Sequence, residues 1–311
     1  MCLTALVLLP LLLLFVGCSR PSDPAAAPPA PSLIRLAPAT PPGTENGELF
    51  AYGLSVTTPW PDGGILYLNF PEHLEYTEVG HGIARYSDKR PNAWVIERDG
   101  EYAHYEVDSL PGPGVNAAGV KVNATAEVVP TSRDRVKITM TIVNKSPALN
   151  LEHVKSLLCA HYRLLTGFPP HQGGSNNFKY TYVVVDGKIV PATELPVKTP
   201  EADRRGATFK PYPPYRTQVA ARMGGWTDTP LDLGIVVITS QDDKRALIIY
   251  TPDAESFLTN AFIPCLHADP HFGDINPGQS HTGTLWYIFA RADWRDTVNE
   301  LIAQHTPAPT P

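Results

Sequence analysis

The chain has 311 residues, 43% hydrophobic and 18% charged, with a formal net charge of -6. This is enough apolar material for a sizeable core and too much for a disordered chain. An acidic balance without a basic stripe excludes the electrostatic footprint of a nucleic-acid-binding protein. Thirty-three prolines argue against long helices and for many short elements joined by turns.

The N-terminus opens with an almost unbroken apolar run, Leu6 to Val16, followed by Gly17 and Cys18. The run is shorter than the roughly 20 residues that span a bilayer and has the length of a signal-peptide core. Phe15-Val16-Gly17-Cys18 resembles the lipobox of bacterial lipoproteins, although no Lys or Arg precedes the run and Phe15 replaces the usual Leu. The resemblance implies cleavage before Cys18, a lipid on that cysteine and a membrane-anchored, exported protein. Ser19 rather than Asp after the cysteine resembles the outer-membrane pattern. The sequence therefore divides into a signal peptide (1–17), a lipidated cysteine with a Pro/Ala-rich spacer (18–44), one domain (45–305) and a short tail (306–311). The spacer cannot bury a core and favours extended geometry. Within it, Leu33-Ile34-Arg35-Leu36 is a candidate edge strand.

The body is rich in strand patterns. Candidate strands cover Phe50 to Thr57, Ile65 to Phe70, Ala93 to Glu97 and Tyr102 to Val107. Lys121 to Val129 alternates apolar and polar residues, as do Val136, Ile138, Met140 and Ile142 with their neighbours, and Pro130 to Asp134 supplies the turn. Leu151 to Leu165 reads as either a helix or a long strand. Tyr180 to Val185 runs through Asp186-Gly187 into Lys188-Ile189-Val190, a hairpin signature. Gly234 to Thr239 and Ala246 to Thr251 form a second hairpin, and Leu285 to Arg291 a further strand. Trp294 to Gln304 is the clear helix, with Trp294, Val298, Leu301 and Ile302 on one face. The sum is a mostly-β fold, a large antiparallel β-sandwich with one short C-terminal helix.

Val136 to Ser146, ending Thr141-Ile142-Val143-Asn144-Lys145-Ser146, resembles a phrase of large carbohydrate-associated β-sandwiches of the galactose-mutarotase-like group. Asn276-Pro277-Gly278-Gln279, followed by Gly283-Thr284-Leu285-Trp286-Tyr287, resembles the turn and final strand of the same group. Cys265-Leu266-His267-Ala268-Asp269-Pro270-His271-Phe272 resembles a phrase of exported bacterial lipoproteins. The resemblance implies a supersandwich-like fold and a carbohydrate ligand. The catalytic His, His and Glu of sugar mutarotases cannot be placed residue by residue, so that activity is not carried over.

After Cys18, two cysteines remain, each two residues before a histidine: Cys159-Ala160-His161 and Cys265-Leu266-His267. Residues two apart share a strand face. One reading is a Cys159–Cys265 disulfide, which suits an oxidising compartment. A second is a tetrahedral zinc set of Cys159, His161, Cys265 and His267, at a spacing of no common zinc module. A third is two buried thiols packing as small apolar residues. No other cofactor is expected. His267, Asp269 and His271 are candidate catalytic residues, a histidine–carboxylate pair being able to act as base and orienting group. Pro270 makes their stretch read as a loop. Tyr212, Tyr215, Arg216 and Trp226, with His161, are candidate ligand-binding residues, because aromatic rings stack on sugar faces while cations bond hydroxyls. There is no Gly-x-Ser-x-Gly elbow, phosphate loop or His-Glu-x-x-His motif. These features point to an anchored protein that binds or processes carbohydrate. The alternative is a non-catalytic structural or interaction lipoprotein stabilised by a disulfide or zinc.

Overall fold

The computed structural model describes residues 34–39, 53–76, 79–82, 93–108, 119–169, 178–196, 216–219, 229, 231, 233–259 and 264–305. The expected signal segment, Cys18, most of the expected spacer, and Tyr212, Tyr215 and Trp226 lie outside them.

Two sheets form the body. The eight-stranded sheet contains β1 (Leu36–Pro38), β2 (Gly53–Thr57), β3 (Ile65–Tyr76), β4 (Val79–Gly82), β9 (Leu151–His161), β12 (Arg216–Val219), β15 (Ala254–Thr259) and β16 (Cys265–Ile275). The nine-stranded sheet contains β5 (Val95–Glu97), β6 (Tyr102–Asp108), β7 (Val120–Val128), β8 (Arg135–Asn144), β10 (Thr181–Val185), β11 (Lys188–Pro191), β13 (Ile235–Thr239), β14 (Ala246–Tyr250) and β17 (Ser280–Ala290). The first runs β1-β2-β3-β9-β16-β15-β12, with β4 on β3; the second runs β11-β10-β13-β14-β17-β8-β7-β6-β5. The pairs are antiparallel except β12 with β15. The expected β-sandwich is the observed fold.

Alternation decides which faces meet. In β7 and β8 every second residue is buried, and Ile138, Met140 and Ile142 enter the main core with Leu66, Leu68 and Phe70 of β3 and Leu158 and Ala160 of β9. β13 and β14 are buried at every position. Their second face is covered by α1 (Trp294–His305), whose Trp294, Val298 and Leu301 pack on Ile235, Val237, Ile248 and Ile288. A strand buried on both faces reads as a continuous apolar run, which accounts for the Val/Ile-rich composition here.

Local chemistry matches the expectations at several points. Asp186 and Gly187 both have positive φ, 50° and 67°, as a two-residue hairpin turn requires. Leu151 to His161 is a strand, not a helix; Val154, Leu158 and Ala160 enter the core while its other face carries Lys155, Cys159 and His161. Ile34 and Leu36 are buried and β1 pairs with β2, so the folded body takes in residues ahead of Glu45. The stretch around Pro270 is strand β16 and not a loop. Proline, which cannot donate to the ladder, is tolerated because a register shift between Ala254 and Ser256 on β15 falls beside it. Among the described residues no helix is long and apolar enough to cross a membrane.

Trp294 is fully buried, its ring 4.9 Å from Tyr182, and its Nε1–H donates to Asp243 Oδ1 at 3.0 Å. Trp294→Ala removes that packing and the anchor of α1. It should lower the unfolding free energy by about 3–5 kcal/mol, read from the midpoint of urea denaturation.

Candidate functional site

The inward face of the eight-stranded sheet packs the core, and its other face holds the candidate residues. β9 lies between β3 and β16, so each outward residue of β9 has a neighbour on both sides. His161 pairs with Tyr67 and with Cys265; Cys159 pairs with Asn69; Lys155 pairs with Glu75 and His271. Leu266 with Ala160 and His271 with Lys155 keep one register. That register sets His267 across from Cys159 and Asp269 across from Leu157. On the far side Asp269 pairs with Ser256, and Ser256 with Arg216 of the edge strand β12. Arg216 is thus brought into the same row of the sheet as Asp269. His73 occupies that row on β3, opposite Leu157.

At the centre, Cys159 Sγ, Cys265 Sγ and a ring nitrogen of His267 lie within 4.8 Å of one another, and all three residues are buried. Cys265 Sγ is 3.6 Å from His267 Nε2, and Cys159 Sγ is 3.2 Å from His161 Nε2. The other ring nitrogen of His267, Nδ1, lies 3.4 Å from Asp269 Oδ1, an ion-pair distance longer than a good hydrogen bond. Asp269 is itself held on two sides. The Leu158 N–H donates to Oδ1 at 3.0 Å and the Ser256 hydroxyl donates to Oδ2 at 2.8 Å. His267 and Asp269 are each 3% exposed.

Burial pushes the His267 imidazole toward its neutral form. The Asp269 carboxylate, by charge and hydrogen bonding, and Cys265 outweigh this and hold the imidazole well above its ordinary value. With Nε2 toward Cys265 and Nδ1 toward Asp269, His267 turns no ring nitrogen outward. His271 stands further along β16, half-exposed, its Nε2 3.6 Å from Glu255 Oε2. Burial lowers its pKa, with the His153 charge adding to the effect.

No bond joins Cys159 to Cys265 in the structure, where both are free and buried. The register gives the reason. Cys265 pairs with His161, which leaves Cys159 on the diagonal, where Cα atoms are about 7–8 Å apart. A disulfide usually spans about 4.4–6.8 Å between Cα atoms.

Sequence reasoning missed Tyr67, Asn69, Lys155 and Ser256. Tyr67 stacks at a tilt on His161, with ring centroids 5.4 Å apart. Asn69 and Lys155 are buried on this face, and Asn69 Oδ1 accepts no hydrogen bond among the described residues. Period-two counting back from His161 and Cys159 through Leu157 reaches Lys155, a cation inside a buried strand, and this was the available signal.

Fold and site together define a two-sheet β-sandwich bearing a thiol–imidazole–carboxylate cluster on the outer face of one sheet. No protein-family model matches the chain, and no curated protein matches it. Solved structures resemble it in the group that the sequence phrases resemble. A galactose mutarotase related enzyme from Lactobacillus acidophilus shares 9% identity over 78% of this chain and 96% of its own, with a TM-score of 0.40. An aldose epimerase homologue from C. elegans shares 12% over 78% and 93%, at 0.33. An α-N-acetylgalactosaminidase from Bifidobacterium bifidum, solved with GalNAc, shares 11% over 82% of this chain and 36% of its own, at 0.41. At these identities and scores the neighbours' activities stay with the neighbours.

Asp269→Ala leaves the Leu158 N–H and the Ser256 hydroxyl without their acceptor and His267 without its counter-charge. It should cost about 3–5 kcal/mol of unfolding free energy. Asp269→Asn, which keeps an acceptor oxygen and the side-chain volume, should cost clearly less in the same urea titration.

Proposed function

We propose that the chain is an exported protein, anchored to a membrane by a lipid on Cys18, that binds carbohydrate on the outer face of its eight-stranded sheet. The observation that carries the reading is the density of polar positions on that face. Tyr67 with His161, Asn69 with Cys159, His73 with Leu157, and Glu75 with Lys155 and His271 follow one another in successive rows. Ser256 and Arg216 extend the row of Asp269.

A sheet face that packs no core is ordinarily solvated with scattered polar residues. Keeping Asn69, Lys155 and Asp269 out of water costs free energy that ordinary surface residues do not incur. A polyhydroxylated ligand is a chemical class that uses convergent donors and acceptors for its hydroxyls. The phrases shared with carbohydrate-associated β-sandwiches support the same class. The geometry favours binding over catalysis through His267, since a general base must reach the proton it takes and both nitrogens of that ring point into the protein.

The full chain in detergent, titrated against mono- and oligosaccharides by calorimetry, tests the reading. At least one sugar should bind, and His271→Ala should weaken it about tenfold, or about 1.4 kcal/mol. Binding of no sugar, or unchanged binding by His271→Ala together with Asn69→Ala, would remove the carbohydrate assignment from this face. The anchor is tested separately. In bacteria expressing the chain, Cys18→Ser should abolish incorporation of labelled fatty acid and shift the protein out of the lipid-modified membrane fraction; label retained by Cys18→Ser would place the lipid elsewhere.

A further inference from the structure

We propose that Cys159, Cys265 and His267 hold a zinc ion, with His161 as the fourth ligand. This inference does not depend on the carbohydrate reading, because it rests on the protein's own side chains.

Distances come first. With zinc–sulfur near 2.3 Å and zinc–nitrogen near 2.0–2.1 Å, the sulfur–nitrogen edge of a tetrahedral site is about 3.6 Å and the sulfur–sulfur edge about 3.8 Å. Cys265 Sγ and His267 Nε2 stand at 3.6 Å, and all three ligand atoms fall within 4.8 Å of one another. His161 Nε2 stands 3.2 Å from Cys159 Sγ, which makes it the candidate for the fourth position. The ligands therefore converge before any ion is present.

The surroundings suit a bound cation. A metal-ligating imidazole ordinarily gives its second nitrogen to a carboxylate, which fixes its tautomer and its orientation. His267 is set for this, with Nε2 3.6 Å from Cys265 Sγ and Nδ1 3.4 Å from Asp269 Oδ1. Asp269 is locked in turn by Leu158 and Ser256. Two thiolates and one imidazole form a donor set that selects a soft or borderline metal over magnesium or calcium. Burial would penalise both thiolates strongly, and a divalent ion offsets their charge.

Strand pairing supplies a role. Between Leu266–Ala160 and His271–Lys155 the β9–β16 ladder gives way, Pro270 can donate nothing, and a side-chain carboxylate takes the Leu158 N–H. A zinc ion bonded to Cys159 of one strand and to Cys265 and His267 of the other would clamp the two strands where their backbone pairing is weakest.

The test uses the full chain carrying Cys2→Ser and Cys18→Ser, purified in detergent without reductant or chelator, so that Cys159 and Cys265 are its two thiols. Elemental analysis should find about one zinc per chain, and chelation should lower the melting temperature. Cobalt(II) in place of zinc should give the thiolate-to-cobalt charge-transfer absorption, lost in Cys159→Ser and in Cys265→Ser. Asp269→Asn keeps every ligand and should weaken cobalt binding by about 10–100-fold. The proposal is overturned by any of three results: two titratable thiols in a zinc-free chain that takes up no cobalt, absence of titratable thiol in denaturant, or cobalt bound without the charge-transfer band. None of these readouts involves a sugar, so failure here leaves the carbohydrate reading standing, and failure of sugar binding leaves the metal site standing.

Discussion

The carboxylate of Asp269 stands where a backbone ladder would otherwise run, and the centre of the eight-stranded sheet is organised around it. One oxygen accepts the Leu158 N–H from β9 and faces His267; the other accepts the Ser256 hydroxyl from β15. Three strands are thus joined through one buried side chain. A carboxylate in this position stabilises only while its partners are in place, since a buried charge left without them costs several kcal/mol. This makes the local structure demanding: Pro270, the register shift on β15 and the interrupted β9–β16 pairing all follow from, or are tolerated because of, the same bond set.

The two sheets solve the problem of their outer faces differently. The nine-stranded sheet covers part of its outer face with α1, and β13 and β14 are buried at every position. The eight-stranded sheet places cysteine, histidine, asparagine, lysine and aspartate on the corresponding face and still buries most of them. Burial achieved with apolar side chains builds stability through area removed from water. Burial achieved with polar ones requires each group to find a partner, and it fixes geometry more tightly in return. The second face is therefore the one on which a site can be positioned to within a fraction of an ångström, because its side chains rise from paired strands and not from loops.

Much of this was legible in the sequence because period-two alternation is a direct consequence of the pleat. The alternation of Lys121 to Val129 and of Val136 to Ile142 announced the half-buried strands β7 and β8, Asp186-Gly187 a hairpin turn, and Trp294 onward an amphipathic helix. β9 was ambiguous because both of its faces are largely buried, and a run that is apolar on two sides carries no period to read. The two Cys-x-His pairs were visible as pairs, yet whether they met as disulfide or as cluster depended on register. Register is set by pairing between strands about a hundred residues apart in sequence, which composition does not encode. Pro270 read as a loop because the compensating irregularity lies on another strand. Asn69 was invisible for a related reason: its significance comes from the Cys159 it pairs with, not from its own segment.

The charge balance of the cluster links its two possible occupancies. With no ion bound, the Asp269 carboxylate and Cys265 hold the His267 imidazole above its ordinary value in spite of its burial. With zinc bound, His267 must give up the proton at Nε2, while Nδ1–H stays directed at Asp269. Zinc binding would release the Nε2 proton of His267 together with both thiol protons, and Asp269 would face an Nδ1–H in either state. An arrangement that served only to close a hydrophobic core would gain nothing from this property, because apolar residues of the same volume would fill the space at least as stably. The register that pairs Cys265 with His161 also brings the two sulfurs and the His267 imidazole within 4.8 Å of one another at the middle of the sheet.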